Sequence, residues 1–360
     1  MPADALPAGA LTPPLSRLLG DPARLTAVPL RHNLGNGVTA GIWRVAGPSG
    51  TAVLKVTTPH GDPAGPWAAG RSPGHWNYWR REALAYRTGL AAGAYAPAGV
   101  RAPRLLDALE RPDGSVALWL EDARGAPGTA WTVEELAGFA RRLGVAQARW
   151  IGRPPGHPWL SRRWLRAYVG SRPVAEPVAW DHPAAVAAWP APLRAQLRQL
   201  WQRRADLLDA VERLPQTLCH LDVWPPNLVG DGEETILLDW AFVGSGAVGE
   251  DVGNLVPDSV ADGLLDPGLL PELSEAVGES YRQGLARAGR PGPAGLVRRG
   301  IAAAGAAKYC WLAPTMLARL ARGQRVGSPS YDPASSDEEV LARRAGMFAL
   351  LTAWARVALD

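Results

Sequence analysis

The residues best suited to chemistry lie in one short segment, Leu218-Cys-His-Leu-Asp-Val-Trp-Pro-Pro-Asn-Leu228. It holds His220, Asp222 and Asn227 in an HxDxxxxN arrangement, and Asp239 follows twelve positions after Asn227. Phosphoryl transfer needs a carboxylate that orients the attacking hydroxyl and accepts its proton, and oxygen ligands that hold Mg²⁺ on the phosphates. The spacing therefore predicts Asp222 as the catalytic base, and Asn227 and Asp239 as the Mg²⁺ ligands.

The competing interpretation of this segment is a solvated turn, because Asp and Asn in a loop usually serve turn formation. Two features favour catalysis: the polar residues fit one template, and strand-like apolar runs flank them. His220 is grouped with this catalytic loop, but a buried histidine that braces the loop backbone is favoured over a proton carrier.

Lysine is unusually rare in this sequence, in which Lys55 and Lys308 are the only two lysines. Lys55 lies within an apolar strand-like run, Ala52-Val-Leu-Lys-Val56. A compact ammonium at such a position neutralises nucleotide phosphates in kinases. We predict this role for Lys55, against the alternative of an edge-strand lysine that faces water.

A glutamate that fixes the Lys55 ammonium is the next requirement of such a site. Residues 76–90 are predicted to form a helix that carries Glu82 in its first half. Glu82 is therefore the predicted partner, with Glu110 and Glu121 as competitors for the role.

Two backbone features would complete a nucleotide site. Between the first two predicted strands, Gly35, Asn36 and Gly37 would let backbone N–H groups approach phosphate oxygens without a side-chain clash. The pattern departs from GxGxxG, and a plain hairpin turn is nearly as consistent with it. Residues 116–122, which include Glu121, resemble the hinge strand of kinases, whose backbone contacts the nucleotide base.

The order of the predicted elements divides the chain. Strand-like runs, one helix and a hairpin occupy residues 24–122, whereas amphipathic helices dominate from residue 123 onward. We predict an α+β chain with an N-terminal extension at 1–23 and an N-lobe at 24–122 that binds nucleotide with a small antiparallel sheet and a helix. A mainly helical C-lobe at 123–360 would carry the catalytic loop and the acceptor pocket.

Within the C-lobe, Thr132 and Glu135 form a capping-box pattern that begins a helix ending near residue 150. Residues 153–192 are rich in Pro and Trp and are predicted to be irregular. Further helices are predicted over 192–214, 293–323 and 336–359.

Three segments resemble the aminoglycoside phosphotransferase and choline kinase superfamily: Cys219–Leu228, Leu238-Asp-Trp240 and Glu250-Asp-Val-Gly-Asn-Leu255. The resemblance in architecture spans residues 24–359 and is specific only near the catalytic loop. It implies a bilobal protein-kinase-like fold. It also implies Mg²⁺-dependent transfer of the γ-phosphoryl group of ATP or GTP to a hydroxyl of a small molecule.

The composition narrows the class of protein. Hydrophobic residues make up 47% and charged residues 20%, as in a globular enzyme. A net charge of +4 without a dense basic run gives no indication of a nucleic-acid partner. Two cysteines are too few for a disulfide framework, and no apolar run predicts a membrane span or a signal peptide. We expect a cytoplasmic protein without a membrane, nucleic-acid or obligate protein partner.

Three functions remain open. The first is a resistance-type O-phosphotransferase that acts on an aminoglycoside, nucleoside or other sugar-bearing antibiotic. The second is a kinase for choline, an amino sugar or a similar metabolite. The third, a nucleotide-binding pseudokinase, is disfavoured because Lys55, Asp222, Asn227 and Asp239 are all present. A protein kinase is also disfavoured, since only about ten residues separate Asp239 from the helix predicted near residue 249.

The acceptor pocket is expected to involve residues 153–192 and the helices after residue 254. An aminoglycoside site would need a strongly acidic pocket, whereas this C-lobe is rich in Arg as well as in acidic residues. Asp258 and Glu272 are candidate acceptor contacts, with solvated surface as the favoured alternative. Five tryptophans could line the pocket, although core packing is their usual role; these are Trp159, Trp164, Trp224, Trp240 and Trp311.

Overall fold

The computed structural model describes residues 12–62, 65–231, 234–327 and 335–360. Of the predicted N-terminal extension, residues 1–11 lie outside the described part. The strands are β1 (Thr26–Pro29), β2 (Thr39–Gly47), β3 (Gly50–Thr57), β4 (Val100–Arg101), β5 (Leu105–Glu110), β6 (Val116–Glu121), β7 (Ala126–Pro127), β8 (Gln216–Cys219), β9 (Leu228–Asp231), β10 (Glu234–Leu237) and β11 (Gly244–Ala247). The helices are α1 (Pro13–Leu19), α2 (Arg81–Arg87), α3 (Leu90–Gly93), α4 (Val133–Ala148), α5 (Trp164–Gly170), α6 (Pro183–Ala188), α7 (Ala191–Gln202), α8 (Arg204–Glu212), α9 (Glu250–Ala261), α10 (Leu270–Arg287), α11 (Ala294–Tyr309), α12 (Leu312–Leu320) and α13 (Asp337–Leu359).

The N-terminal sheet is antiparallel throughout, with strand order β1-β2-β3-β6-β5. Side chains alternate across a strand. In β3, Ala52, Leu54 and Val56 accordingly pack on one face, where two leucines of α1 cover them. Lys55, between them in sequence, lies on the opposite face. The alternation therefore explains how one lysine within an apolar run can reach a cleft while its neighbours form a core.

Short strands flank the catalytic loop. β8 leads into it and pairs with β11, and β9 and β10 form the antiparallel hairpin that follows it. β10 also pairs in parallel with β4, which precedes the N-terminal hairpin of β5 and β6. The two ends of the loop are thus held by separate pairs of strands.

The C-terminal region is helical, and its core includes a close contact between α4 and α10. Helix α4 begins with the predicted capping box, in which Thr132 accepts from the N–H of Glu135 and the Glu135 side chain accepts from the N–H of Thr132. A Cβ at Gly144 would lie 2.3 Å from the carbonyl oxygen of Tyr281, so the absence of a side chain allows the two helices to approach. The α+β class, with an antiparallel sheet followed by helices, is confirmed.

Several predicted elements differ from the structure. The helix predicted over 76–90 begins only at Arg81, because residues 72–80 form turns. The stretch 153–192, predicted to be irregular, contains α5 and α6; the buried residues of α5 recur at helical spacing, at 164, 165, 168 and 169. The helices predicted over 192–214 and 293–323 are each divided in two, at Arg203 and at residues 310–311.

Within the described part of the chain, no helix is both long and apolar enough to cross a membrane.

Candidate active site

A buried lysine joins the N-terminal sheet to the loop that follows β10. The Lys55 ammonium lies 2.6 Å from Glu82 Oε2 and 2.9 Å from Asp239 Oδ1. The Lys55 and Glu82 side chains are buried, whereas 34% of the Asp239 side chain is exposed. Helix α2 therefore brings Glu82 to Lys55, and the predicted competitors Glu110 and Glu121 do not contact that lysine. Glu110 instead pairs on the surface with Arg80 and Arg87.

The charges at this lysine are mutually dependent. Burial alone would lower the pKa of Lys55, but the carboxylates of Asp239 and Glu82 raise it well above its usual value. Burial raises the pKa of Glu82 to about 7, although the Lys55 ammonium opposes that shift. Burial would also raise the pKa of Asp239, but the Lys55 ammonium outweighs this effect, so the pKa of Asp239 is lowered. Lys55 thus keeps at least the Asp239 carboxylate ionised.

Asp239 is placed next to Asn227 by backbone contacts. The N–H of Leu238 donates to the carbonyl of Asn227 at 2.8 Å, which ties the end of the hairpin to the loop. Asp239 itself has a φ of 59°, in the left-handed region that is unfavourable for residues other than glycine. Retention of such a conformation at a cleft is typical of functional sites.

Asn227 and Asp222 form the other half of the site. The Asn227 Nδ2 donates to the Asp222 backbone carbonyl at 2.9 Å and to Asp222 Oδ2 at 3.0 Å. Burial raises the pKa of Asp222 to about 7. The cation of Lys308 lowers this pKa, and the carboxylates of Asp239 and Asp258 raise it. Asp222 consequently has a pKa close to neutral pH, in the range that suits a general base.

Two residues of α9 hold the backbone of the catalytic loop. The Asp251 carboxylate accepts the N–H of His220 at 2.9 Å and that of Leu221 at 2.7 Å. Asn254 Nδ2 donates to the carbonyl of Val223 at 2.6 Å. The sequence motif around these residues was recognised by resemblance, but their contacts with the loop were not predicted.

His220 is fully buried, and its ring meets that of Trp240 edge to face, with 5.2 Å between centroids. Burial lowers the pKa of His220 to about 4, against the opposing effect of the Asp239 carboxylate. The imidazole is therefore neutral at physiological pH, as a packing residue would be. Its predicted bracing role stays a prediction.

A single cavity of about 800 Å³ joins the two halves of the site. Lys55, Glu82, Asp222, Asn227 and Asp239 all line it. Several further residues of its wall belong to the C-terminal region and are aromatic or charged: Trp164, Tyr168, Trp224, Phe242, Asp258, Asp262, Lys308 and Tyr309.

The glycine-containing loop lies at the N-terminal side of this cavity. Asn36 lines the cavity, and its side chain accepts from the N–H of Val38 and from Asn77 Nδ2. The N–H of Gly35 donates to Asn33 Oδ1, and that of Gly37 donates to the carbonyl of Trp67. Both hydrogen bonds would have to break before these two N–H groups could contact phosphates. Their phosphate-binding role stays a prediction.

Glu121, at the end of β6, also lines the cavity. Its carboxylate pairs with Arg101 at 2.9 Å and with Arg104 at 3.4 Å, and its N–H donates to the carbonyl of Arg104. The side chain thus serves an ion-pair network at the end of the strand. A nucleotide base that accepted from the Glu121 N–H would compete with the carbonyl of Arg104 for that donor.

The candidate acceptor residues separate into two groups. Asp258 and Lys308 line the cavity, whereas Glu272 is an exposed residue in the first turn of α10 and does not. Of the five tryptophans considered, only Trp164 and Trp224 line the cavity. Lys308 was not assigned from the sequence, although its rarity among the basic residues was a usable signal.

The sheet, the helical region and the cavity between them define a protein-kinase-like fold. Two solved structures support this with a TM-score above 0.5. The microcompartment-associated aminopropanol kinase has a TM-score of 0.53 and 16% identity, with 93% of this chain and 94% of that chain covered. Amicoumacin kinase hAmiN, in complex with AMP-PNP, Ca²⁺ and Ami, has a TM-score of 0.52 and 13% identity, with 92% and 90% covered.

A match to a protein-family model identifies the family. The model of the phosphotransferase enzyme family APH matches residues 35–294, more than half of the chain. The chain therefore belongs to this family and is a small-molecule phosphotransferase, as the resemblance implied. A choline/ethanolamine kinase family protein from Mesorhizobium loti is also similar, with 19% identity, a TM-score of 0.49, and 96% and 98% covered. Among curated proteins, no significant match was found.

Proposed function

We propose that the protein transfers the γ-phosphoryl group of ATP or GTP to a hydroxyl of a small molecule. The observation that carries the proposal is the single cavity in which the Lys55–Glu82 pair and Asp239 face Asp222 and Asn227. Phosphoryl transfer needs positioned charges and a carboxylate near the hydroxyl rather than covalent chemistry by the protein. These residues supply that combination.

Asp222 is the proposed catalytic base. Its carboxylate, held through the hydrogen bond from Asn227, orients the acceptor hydroxyl and takes its proton as the oxygen attacks phosphorus in line with the leaving group. Lys55 donates to Asp239 and forms an ion pair with Glu82, so at least one of its three N–H donors remains for a phosphate oxygen. Glu82 fixes that ammonium in place.

The donor set at the cavity fits Mg²⁺. Asn227 and Asp239 offer an amide oxygen and a carboxylate, the hard ligands that this ion prefers, and the partly exposed Asp239 is open to a hydrated cation. Among the described residues, no group of three or more His, Cys, Asp or Glu side chains could hold a metal ion. Nucleotide phosphates and water would complete the coordination, as is usual for Mg²⁺. When bound, the ion would neutralise charge on the phosphates.

The proposed acceptor is a hydroxyl of an antibiotic that bears a sugar, a nucleoside or an aminoglycoside, and the proposed location is the cytoplasm. Drug-sized ligands occupy pockets of roughly 300–1,000 Å³. The cavity of about 800 Å³ therefore offers room for an extended acceptor as well as part of a nucleotide. A kinase for a metabolite is the alternative.

The test combines binding with product detection. Calorimetry would measure Mg²⁺·ATP and Mg²⁺·GTP binding to the wild type and to Asp222→Asn. Mass spectrometry would follow phosphorylation of aminoglycosides, nucleoside antibiotics, macrolides, choline and amino sugars. We expect nucleotide binding by both proteins and a phosphorylated product from the wild type alone. If neither nucleotide binds and no product forms, the kinase proposal is rejected.

A further inference from the structure

Both lysines of the chain line the same cavity, and only Lys55 has a role in the proposed mechanism. Lys308 lies near the end of α11 and is only 8% exposed. Its ammonium donates to Asn254 Oδ1. Within the residues that the structure describes, Asn254 is the one hydrogen-bond acceptor of this ammonium. A lysine has three N–H donors. Two therefore remain for solvent or for a ligand in the cavity.

Three aromatic rings lie near this ammonium. The Lys308 Nζ lies 5.2 Å from the ring centroid of Trp164, 5.7 Å from that of Tyr168 and 5.8 Å from that of Tyr309. Aromatic faces attract cations, and such cages are a common way to bind quaternary ammonium ligands. Here the cage already holds a cation from the protein itself. A second cation at this position would be repelled by Lys308.

The ammonium is also fixed relative to the catalytic loop. Asn254 accepts from Lys308 and from the Tyr309 hydroxyl at 2.9 Å, and it donates to the carbonyl of Val223. Val223 follows Asp222 directly in the sequence. Lys308 is therefore held at a set distance from the place where an acceptor hydroxyl would meet Asp222.

Lys308 has two alternative roles. Its charge could balance the nearby carboxylates of Asp222 and Asp258, or its hydrogen bond could hold Asn254 in place. Both roles are compatible with the contacts above, but neither uses the two remaining N–H groups. The chain uses arginine at nearly every other basic position, and a compact ammonium differs from a guanidinium in fitting a small aromatic cage. The free N–H groups in the cavity wall thus point to a ligand.

We propose that Lys308 binds the acceptor. Its ammonium donates hydrogen bonds to an oxygen of the acceptor close to the hydroxyl that is phosphorylated. The enzyme therefore selects acceptors with a hydroxyl, carbonyl or carboxylate oxygen at that point, and discriminates against those with an ammonium group there. This inference rests on the proposed function, because it assigns the acceptor side of the same cavity.

The two lysines make a direct test possible. Tag-free protein with ¹³C-labelled lysine would give two side-chain NMR signals, assigned by Lys308→Arg. Mg²⁺·AMP-PNP should move the Lys55 signal, which tests the proposed function separately. In that complex, glycolate, ethylene glycol and choline would serve as anionic, neutral and cationic hydroxyl probes. We expect a saturable shift of the Lys308 signal with glycolate or ethylene glycol and none with choline.

Two outcomes would overturn the inference: a Lys308 signal that no probe moves, or one that choline moves while the oxygen probes do not. Lys308→Met should weaken binding of the effective probe by about tenfold or more, since charge-assisted hydrogen bonds are lost. The nucleotide affinity of Lys308→Met should change less than about twofold, because Lys55 holds the phosphates in the proposed mechanism. If Lys308→Met does not fold, Lys308→Arg provides the second variant. It should keep the oxygen preference with reduced affinity, and equal binding of all three probes by it would contradict the inference.

Discussion

Leu221 has a φ of 69°, and its N–H donates to the carboxylate of Asp251 at 2.7 Å. A left-handed conformation is unfavourable for a branched side chain, at about 1–3 kcal/mol. The strained residue directly precedes Asp222, and the buried carboxylate that holds it comes from α9. Asp251 is thus a positioning residue: it maintains the turn that presents the proposed base.

The first prediction concerns this contact. Asp251→Asn retains the shape of the side chain but replaces one acceptor oxygen with a donor. Either His220 or Leu221 then loses its partner. We expect the free energy of unfolding to fall by about 1.5–3 kcal/mol, the range for a buried hydrogen bond to a charged group. Activity should fall more than tenfold because Asp222 is no longer held in position. Chemical denaturation and initial rates would measure both effects.

The matched control is Asp206→Asn, which changes an exposed carboxylate that pairs with Arg203 on the surface. Surface pairs contribute roughly 0–1 kcal/mol. Asp206→Asn should therefore leave both measurements near those of the wild type. Equal stability and activity of Asp251→Asn and the wild type would show that the loop does not depend on this carboxylate.

A second prediction concerns Lys55, which Lys55→Met would replace with a neutral side chain of similar length. Loss of the phosphate contact should reduce phosphoryl transfer by about 10²–10³-fold, the range for loss of one donor that stabilises a transition state. Nucleotide affinity, measured by calorimetry, should also fall. Lys55→Arg keeps the charge but adds a planar group to a buried site, so only partial activity is expected.

Lys55→Met should also have a pH-dependent effect on stability. Burial raises the pKa of Glu82 to about 7 even beside Lys55, and the lost cation would raise it further. The pKa of Glu82 is higher in the folded protein than in the unfolded chain. Ionisation of Glu82 therefore lowers the free energy of unfolding, by an amount that grows as pH rises from the unfolded pKa to the folded pKa. Lys55→Met should therefore lose more stability at pH 8 than at pH 6, relative to the wild type. An equal loss at both values would argue against a buried Glu82.

The third prediction is a pH profile. Burial raises the pKa of Asp222 to about 7, so the carboxylate becomes protonated as pH falls through that value. A protonated Asp222 cannot accept the hydroxyl proton, and kcat/KM should fall with decreasing pH below about 7. Lys308→Met removes the cation that lowers this pKa, so its profile should shift to higher pH. A rate that is constant from pH 5.5 to 8 would be inconsistent with Asp222 as the base.

The parts of the site that the sequence predicted are those governed by local pattern. The sequence indicated Lys55 by its place in an apolar strand-like run and Glu82 by its place on a predicted helix, and the structure brings the two side chains together. Asn227 and Asp239 were named from their spacing, and the structure places them at the two ends of one hairpin. For each of these residues, the residue type, the predicted strand or helix and the order along the chain all indicated the same site.

The remaining contacts depend on tertiary packing. Asp251 and Lys308 reach the site from separate helices, and nothing in their local sequence specifies which loop they meet. The late start of α2 has a similar cause: Trp76, Tyr78 and Trp79 are compatible with a helix but lie in turns that pack into the aromatic core. The N–H groups of Gly35 and Gly37 found partners within the chain, which spacing alone does not reveal.

The fourth prediction concerns the metal. Asp239→Asn removes the charge of the proposed Mg²⁺ ligand but leaves the Lys55–Glu82 pair, with its 2.6 Å contact, in place. We expect the Mg²⁺ concentration for half-maximal activity to rise about tenfold or more, because a neutral amide is a weaker ligand for this ion than a carboxylate. Titration of activity with Mg²⁺ at fixed nucleotide would measure it, with EDTA-treated wild type as the zero point. Asp262→Asn is the control, since Asp262 also lines the cavity but has no proposed metal contact. Unchanged Mg²⁺ dependence and unchanged kcat in Asp239→Asn would exclude Asp239 as a ligand, because its carboxylate would then have no part in holding the ion.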